Sequence, residues 1–294
     1  MNLLVDDEQY AIHFGDCIPH MSEEMPPESV DFAVFSPPFP SLYAYTSLPE
    51  DIGNSEDLRG EAKLHMGYFY RALRRVLKPG RIVIVHVMQI PGLARNGEVG
   101  TYDFRGLNIR MAERAGFVYQ YDWLVRKNPQ AQAIRTHSNK LLFVSLERDR
   151  AVSCGAFGDY LIKFIVPGDN AAPICSPNEI SRNDWIKWAE ACWDDIHETD
   201  TLNVREGRGE DDTKHICPLQ LGVIHRLVLL FSNPGEIVFS PFAGIGSEGF
   251  VALKNERRFY GCEIKQEYYE AAVKNCERGI NERSSRQQTL FALK

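Results

Sequence analysis

Val30-Asp-Phe-Ala-Val-Phe35 is a nearly unbroken apolar run, and Pro37 and Pro38 stop it. A short apolar run bounded in this way reads as a buried strand. Proline lacks an N–H and has a fixed φ, so it cannot continue the ladder. What the strand presents at its end is Ser36-Pro37-Pro38-Phe39: one hydroxyl, a stiff backbone with carbonyls aimed outward, and one aromatic ring. A planar, amino-bearing ring could be sandwiched against Phe39 while Ser36 and a proline carbonyl accept hydrogen bonds from its NH2. The plainer reading of the same residues is a proline-rich turn that ends a core strand.

The rest of the chain alternates strand and helix signals, which favours an α/β fold with a mostly parallel sheet. Tyr10, Ile12 and Phe14 alternate as a short strand ending at Gly15-Asp16. Apolar residues at 62, 65, 66, 69, 72, 73, 76 and 77 recur at helical spacing until Pro79-Gly80, and Arg81–Met88 then reads as a buried strand. A helix is expected near 104–115. Phe117–Val125 and Lys140–Leu146 read as two strands joined by a polar loop. Residues 151–212 lose the period and carry Trp185, Trp188 and Trp193, which suggests an inserted lobe with a small core of its own. Regularity returns with an amphipathic helix over 218–232, with Pro218 at its first turn.

Composition narrows the function classes. No apolar run is long enough to span a membrane, and the first residues lack the basic-then-apolar pattern of a signal peptide, so a cytoplasmic protein is expected. Seven cysteines without a Cys-x-x-Cys pair read as reduced thiols, and neither a disulfide frame nor a metal site is expected. The net charge of −7 argues against a generally basic surface but leaves room for a basic cleft. Arg71–Arg81 is one basic cluster, readable as a solvated helix face. Arg126, Lys127, Arg135 and Lys140 form another, suited to clamping phosphates, while acidic residues crowd 184–212.

A second chemical signal lies at Gly235-Glu-Ile-Val-Phe-Ser240-Pro-Phe242-Ala-Gly244-Ile-Gly246-Ser247, a strand, a glycine turn and a helix start. Glycine lets the backbone approach a ligand, and the helix start offers free N–H groups. The next strand, Arg258–Glu263, ends in a carboxylate placed to hold ribose hydroxyls. Gly249 also supplies the third glycine of a dinucleotide pattern, which keeps a nicotinamide enzyme open, although no hydride-transfer constellation accompanies it.

Together the two segments resemble the DNA amino-methyltransferases, which use S-adenosylmethionine to methylate cytosine N4 or adenine N6. Ser36-Pro37-Pro38-Phe39 is similar to the family's Asp/Asn/Ser-Pro-Pro-aromatic motif, and Ser240-Pro241-Phe242-Ala243-Gly244-Ile245-Gly246 to its Asp-Pro-Phe-x-Gly-x-Gly motif. The catalytic motif comes first, as in the permuted β-type members. The resemblance implies a Rossmann-like α/β fold, a seven-stranded mixed sheet with helices on both faces. It also implies a catalytic half over 1–150, a target-recognition lobe over 151–212, a cofactor half over 213–280 and a tail over 281–294. Catalytic roles fall on Ser36, Pro37, Pro38 and Phe39. Cofactor roles fall on Phe242, Gly244, Gly246, Ser247 and Glu263, on Asp16, and on the His215-x-x-Pro218 stretch. His215 and Asp16 also read as a cap and a loop residue. Ser240 departs from the family's aspartate.

The implied substrate is double-stranded DNA with the target base flipped out of the stack, and no metal is required. Serine in the first motif position favours cytosine N4 over adenine N6. The rival readings are a DNA-binding protein without turnover and a methyltransferase acting on RNA or protein glutamine, the last disfavoured by motif order. A cognate restriction endonuclease is a possible partner. Finally, 280–294 leaves the regular pattern, and Gln287-Gln-Thr-Leu-Phe291 resembles a sliding-clamp docking peptide or, more simply, a frayed terminus that packs two apolar side chains.

Overall fold

The computed structural model describes residues 9–40, 46, 48–54, 60–92, 100–136, 143–152, 155–175, 177, 179–203 and 218–292. Its strands are β1 (Tyr10–Phe14), β2 (Val30–Phe35), β3 (Leu77–Val87), β4 (Ile90–Pro91), β5 (Thr101–Tyr102), β6 (Val118–Val125), β7 (Asp159–Ile165), β8 (Cys192–Trp193), β9 (Ile237–Ser240) and β10 (Arg258–Glu263). Its helices are α1 (Cys17–Pro19), α2 (Glu61–Val76), α3 (Phe104–Arg114), α4 (Pro129–Thr136), α5 (Phe143–Arg148), α6 (Arg182–Trp188), α7 (Leu221–Phe231), α8 (Ser247–Lys254) and α9 (Gln266–Ala292).

One mixed sheet runs in the order β1-β10-β9-β2-β3-β7-β6-β8, seven full strands plus the two-residue edge strand β8. The first five strands in that order are parallel, β7 runs antiparallel to both its neighbours, and β4 and β5 pair separately as a small hairpin. Alternation along each strand feeds two cores. In β2, Ala33 and Phe35 pack with Met66, Phe69 and Leu73 of α2, whereas Phe32 and Val34 pack with Leu227 and Val228 of α7. Burial on both faces is why this run is apolar throughout. Asp31, its single charge, is buried, donated to by Lys78, by Arg81 and by the Ile237 backbone N–H at 2.9 Å. Arg75 donates to the carbonyls of Met21 and Met25. Part of the basic cluster at 71–81 is therefore spent on internal pairing.

Four sequence expectations are corrected. The partner of β6 is β7, not 140–146: residues 143–148 are helical, and 137–142, with Lys140, lie outside the described residues. Strand β7 falls inside the stretch expected to be a separate lobe, yet it sits between β3 and β6. Lys163 hid its period. That lysine lies mid-strand with its ammonium 5.2 Å from the Tyr121 ring and 4.9 Å from the Phe231 ring, contacts that offset part of its burial. The tryptophans likewise join the main core: Trp188 and Trp193 are buried against Trp123, whose indole N–H donates to the Trp188 carbonyl at 3.0 Å, while Trp185 is exposed. The third correction concerns the end of the chain, where α9 continues through Ala292. Gln287–Phe291 is helical backbone, not an irregular tail. A fourth, smaller difference is that α7 starts at Leu221, three residues after Pro218.

Candidate active site

The carboxyl ends of the parallel strands open into a cleft, the usual ligand position in such sheets. Gly15 and Asp16 follow β1, Ser36 follows β2, Pro241 and Phe242 follow β9, and Glu263 ends β10. All of them line this cleft, as do Pro38, Gly244, Ser247 and Pro218. The two motifs, separated by some two hundred residues of sequence, thus share one cavity.

Each wall has a local cause. Gly244 and Gly246 both have positive φ, +53° and +83°. Nothing lies near the position a Gly244 Cβ would occupy, whereas a Gly246 Cβ would fall 2.8 Å from Ala272 Cα in α9. Gly244 therefore keeps the cleft floor open, and Gly246 does not line the cleft but lets α8 approach α9. Gly249, the third glycine of the pattern, is a packing residue too: a Cβ there would lie 2.6 Å from Cys276 Sγ. Glu263 bridges the turn, one carboxylate oxygen accepting from the Gly244 N–H at 2.7 Å and the other from the Lys265 N–H at 2.9 Å. Burial nonetheless pushes its carboxyl up to about 7. Asp16 caps α1 through the Ile18 N–H at 2.9 Å and is also raised by burial. Phe242 packs on Phe69 with ring centroids 4.9 Å apart.

On the catalytic motif, Ser36 Oγ is 2.6 Å from His86 Nδ1, Pro37 is buried, and Pro38 faces the cleft. Phe39 is not among the cleft residues; it packs beside Phe104, centroids 5.3 Å apart. Of the expected phosphate clamp, Arg126 is exposed and Arg135 lies in α4. Lys127 is corrected: it is mostly buried and pairs with Asp159 at 2.6 Å, so its charge is already neutralised inside the protein. His215 lies outside the described residues.

Sequence reasoning missed Glu248, His86 and Asp159. Glu248 follows Ser247 into α8 and lines the cleft. Burial pushes its carboxyl up to about 8, opposed by its own backbone N–H and aided by Glu263. A carboxyl raised above its unfolded value of 4.5 stabilises the fold fully below that value and loses the contribution as pH rises through the folded one. Glu248→Gln, which cannot ionise, is expected to gain thermal stability relative to the parent between about pH 5 and pH 9. A pH-independent difference in melting midpoint would show that burial does not perturb this acid.

The cleft suits a nucleoside. It offers carboxyl oxygens from Asp16, Glu248 and Glu263, apolar walls at Leu219 and Ile245, and the Ser247 hydroxyl, buried with no partner among the described residues. Ser240 Oγ, where the resembled motif has aspartate, is likewise buried without one. A metal is a different matter. Among the described residues, only His13, His20 and Glu24 bring three candidate ligand atoms together. The two imidazoles stack with centroids 3.7 Å apart and planes 10° from parallel, and both His20 nitrogens are engaged, by Glu24 at 2.8 Å and Tyr260 at 2.7 Å. Lone pairs in parallel planes do not converge on one ion.

This sheet, with its cleft at the strand ends, is the architecture of the class I methyltransferases. The family model described as DNA methylase, covering N6 and N4 enzymes, matches residues 30–274, and the chain belongs to that family. It is 29% identical over 170 residues to the type II methyltransferase M.BglI of Bacillus subtilis, covering 57% of this chain but only 41% of that protein. It is 40% identical over 55 residues to the DNA adenine methyltransferase YhdJ of Escherichia coli K12, 19% of each chain. Two solved structures share the fold. The PvuII DNA methyltransferase (cytosine-N4-specific) superposes with a TM-score of 0.64 at 18% identity, covering 94% of this chain and 91% of that one. A candidate DNA modification methylase from Thermus thermophilus, complexed with S-adenosyl-L-methionine, gives 0.67 at 21% identity, covering 92% and 95%. No helix among the described residues is long and apolar enough to cross a membrane.

Proposed function

We propose that the protein transfers a methyl group from S-adenosylmethionine to the exocyclic amine of a base in double-stranded DNA, with cytosine N4 as the favoured target. One observation carries the reading: Ser36 and Pro38 line the same cleft as Gly244, Ser247 and Glu263, so an amine-holding motif and a nucleoside-holding turn face a common space. S-adenosylmethionine supplies an electrophilic methyl group on a sulfonium. The chain's own residues bind, orient and shield. Glu263 and Asp16 present carboxyl oxygens for ribose and adenine groups, while Phe242 and the Gly244 turn shape the wall. Pro218, at the cleft rim, leads into α7 and follows His215 in sequence.

An exocyclic amine is a poor nucleophile because its lone pair is delocalised into the ring. Ser36 Oγ and the Pro37 carbonyl accept its hydrogens, which localises the lone pair and aims it, so that positioning supplies most of the acceleration. The base reaches the cleft by flipping, at a cost of a few kcal/mol. Phe39, propped by Phe104, is the stacking surface that offsets part of it. Arg126, with Arg135 and Lys140 nearby in sequence, contacts phosphates without reading sequence. Target choice is assigned to the parts of 151–212 outside β7. The preference for cytosine rests on the serine that opens the motif.

The test is mass spectrometry of nucleosides from duplex DNA of varied sequence incubated with protein and S-adenosylmethionine. N4-methylcytosine is expected. N6-methyladenine would retain the mechanism and overturn the base assignment, and no methylated product despite cofactor binding would favour a protein that binds DNA without turnover.

A further inference from the structure

Four side chains form a row across this edge of the sheet: Ser36 just after β2, His86 in β3, Asp159 at the start of β7 and Lys127 just after β6. The parallel register pairs Phe35 with Val85, which sets Ser36 beside His86. The antiparallel register pairs Val87 with Tyr160, which brings Asp159 to the next place, and Val125 with Asp159, which brings Lys127 there from β6. The contacts are short: Ser36 Oγ to His86 Nδ1 at 2.6 Å, His86 Nε2 to Asp159 Oδ2 at 2.9 Å, and Lys127 Nζ to the same oxygen at 2.6 Å. Asp159 and His86 are both buried. Asp159 Oδ2 lies close to Nε2 but off the line of its N–H, so the two are near neighbours and not an aligned hydrogen bond. Only Ser36 of the four reaches the cleft.

We propose that His86 and Asp159 are positioning residues for Ser36, fixing its hydroxyl as an acceptor toward the substrate amine and receiving, through it, the proton that the methylated amine sheds. This rests on the methyl-transfer reading above. A carboxylate beside Nε2 repels a bare nitrogen lone pair and favours the tautomer with the proton there. Nδ1 is then left as an acceptor, and the Ser36 hydroxyl must donate to it. Both lone pairs of Ser36 Oγ consequently face away from His86, free to accept N–H groups from the amine, whereas a freely rotating serine would spend part of its time donating.

The same line carries the proton away. When the amine nitrogen forms its bond to the methyl carbon, and the sulfur keeps the electron pair of the broken bond, the nitrogen holds one proton too many. That proton passes to Ser36 Oγ as the Ser36 hydroxyl proton passes to His86 Nδ1. The positive charge that began on sulfur ends on the imidazole beside Asp159, and no further reactant is needed. Lys127 offsets the buried Asp159 charge. Burial raises that carboxyl, while His86 and Lys127 together outweigh the rise and hold it below its ordinary value.

Two measurements test the row. In the free protein, nitrogen-15 spectra of labelled histidine, with His86→Asn to assign the signal, are expected to show His86 protonated on Nε2; an Nδ1-protonated ring overturns the proposal. In steady-state assays, His86→Phe is expected to lower kcat by about 10²-fold, in the range of other positioning losses, with S-adenosylmethionine affinity and KM for DNA unchanged. His86→Asn, which restores an acceptor for the serine hydroxyl, is expected to recover about tenfold of that loss. Asp159→Asn should lower kcat without weakening binding, as removal of an orienting carboxylate does. An active parent whose kcat is indifferent to His86→Phe, or a loss that His86→Asn does not relieve, overturns the inference alone. A parent that binds cofactor and methylates no DNA overturns the methyl-transfer reading and the inference with it.

Discussion

Ser36→Ala is expected to reduce methyl transfer by about 10²–10³-fold, the usual loss when one preorganised hydrogen-bonding group at a reacting centre is removed. Cofactor affinity should hold, because the residues of the turn and of β10 that shape the cofactor wall make no contact through Ser36. The loss has two parts. The substrate amine loses an acceptor, and His86 Nδ1 loses the partner it holds at 2.6 Å. Single-turnover rates with bound DNA separate the chemical step from binding. An equal fall in cofactor affinity and in rate would mean that Ser36-Pro37-Pro38 merely shapes the strand end.

Gly246→Val is expected to destabilise the fold by about 2–5 kcal/mol, adding the cost of a left-handed backbone for a β-branched residue to the cost of overpacking. Its φ is +83°, and a Cβ would press on Ala272 Cα at 2.8 Å and Ala272 O at 3.0 Å. These are backbone atoms of α9 and cannot swing aside, so α8 must move, carrying the start of the glycine turn with it. Gly244→Ala makes a matched control. Its φ of +53° costs about 1–2 kcal/mol, but the new methyl group meets open space. There the expectation differs: stability falls by that backbone cost alone, without overpacking, and cofactor affinity falls, because the methyl group enters the cleft. Urea midpoints together with cofactor titration distinguish the two glycines. Similar stability losses at both would remove the distinction between a packing glycine and a site glycine.

Proximity in the fold changes what several charged residues can do. Lys127 resembles a phosphate contact when read beside Arg126, yet it is committed to Asp159. Lys78 and Arg81 resemble a solvated face but hold Asp31. Arg126, by contrast, is exposed. An overall charge of −7 conceals these differences, since the relevant property is which cations lack an internal partner.

Local chemistry in the chain was enough for the strand that ends at Ser36, for the glycine turn at 244–246, for the carboxylate at Glu263 and for the helices α2, α3 and α7, apart from small shifts at their ends. Each is written in contiguous residues: an apolar period, a proline that cannot continue a ladder, a glycine that alone tolerates positive φ without strain. Strand β7 was not legible, because a lysine in mid-strand breaks the apolar pattern unless rings from β6 and α7 are there to cover its charge. The row from Ser36 to Lys127 was not legible either, since His86, alone in an apolar strand, and Asp159, within a stretch of mixed polarity, acquire meaning only when neighbouring strands set them side by side. Sequence spacing records what a segment can do by itself. Only the pairing of strands remote in the chain decides which hydroxyl meets which imidazole, and therefore where a proton can go.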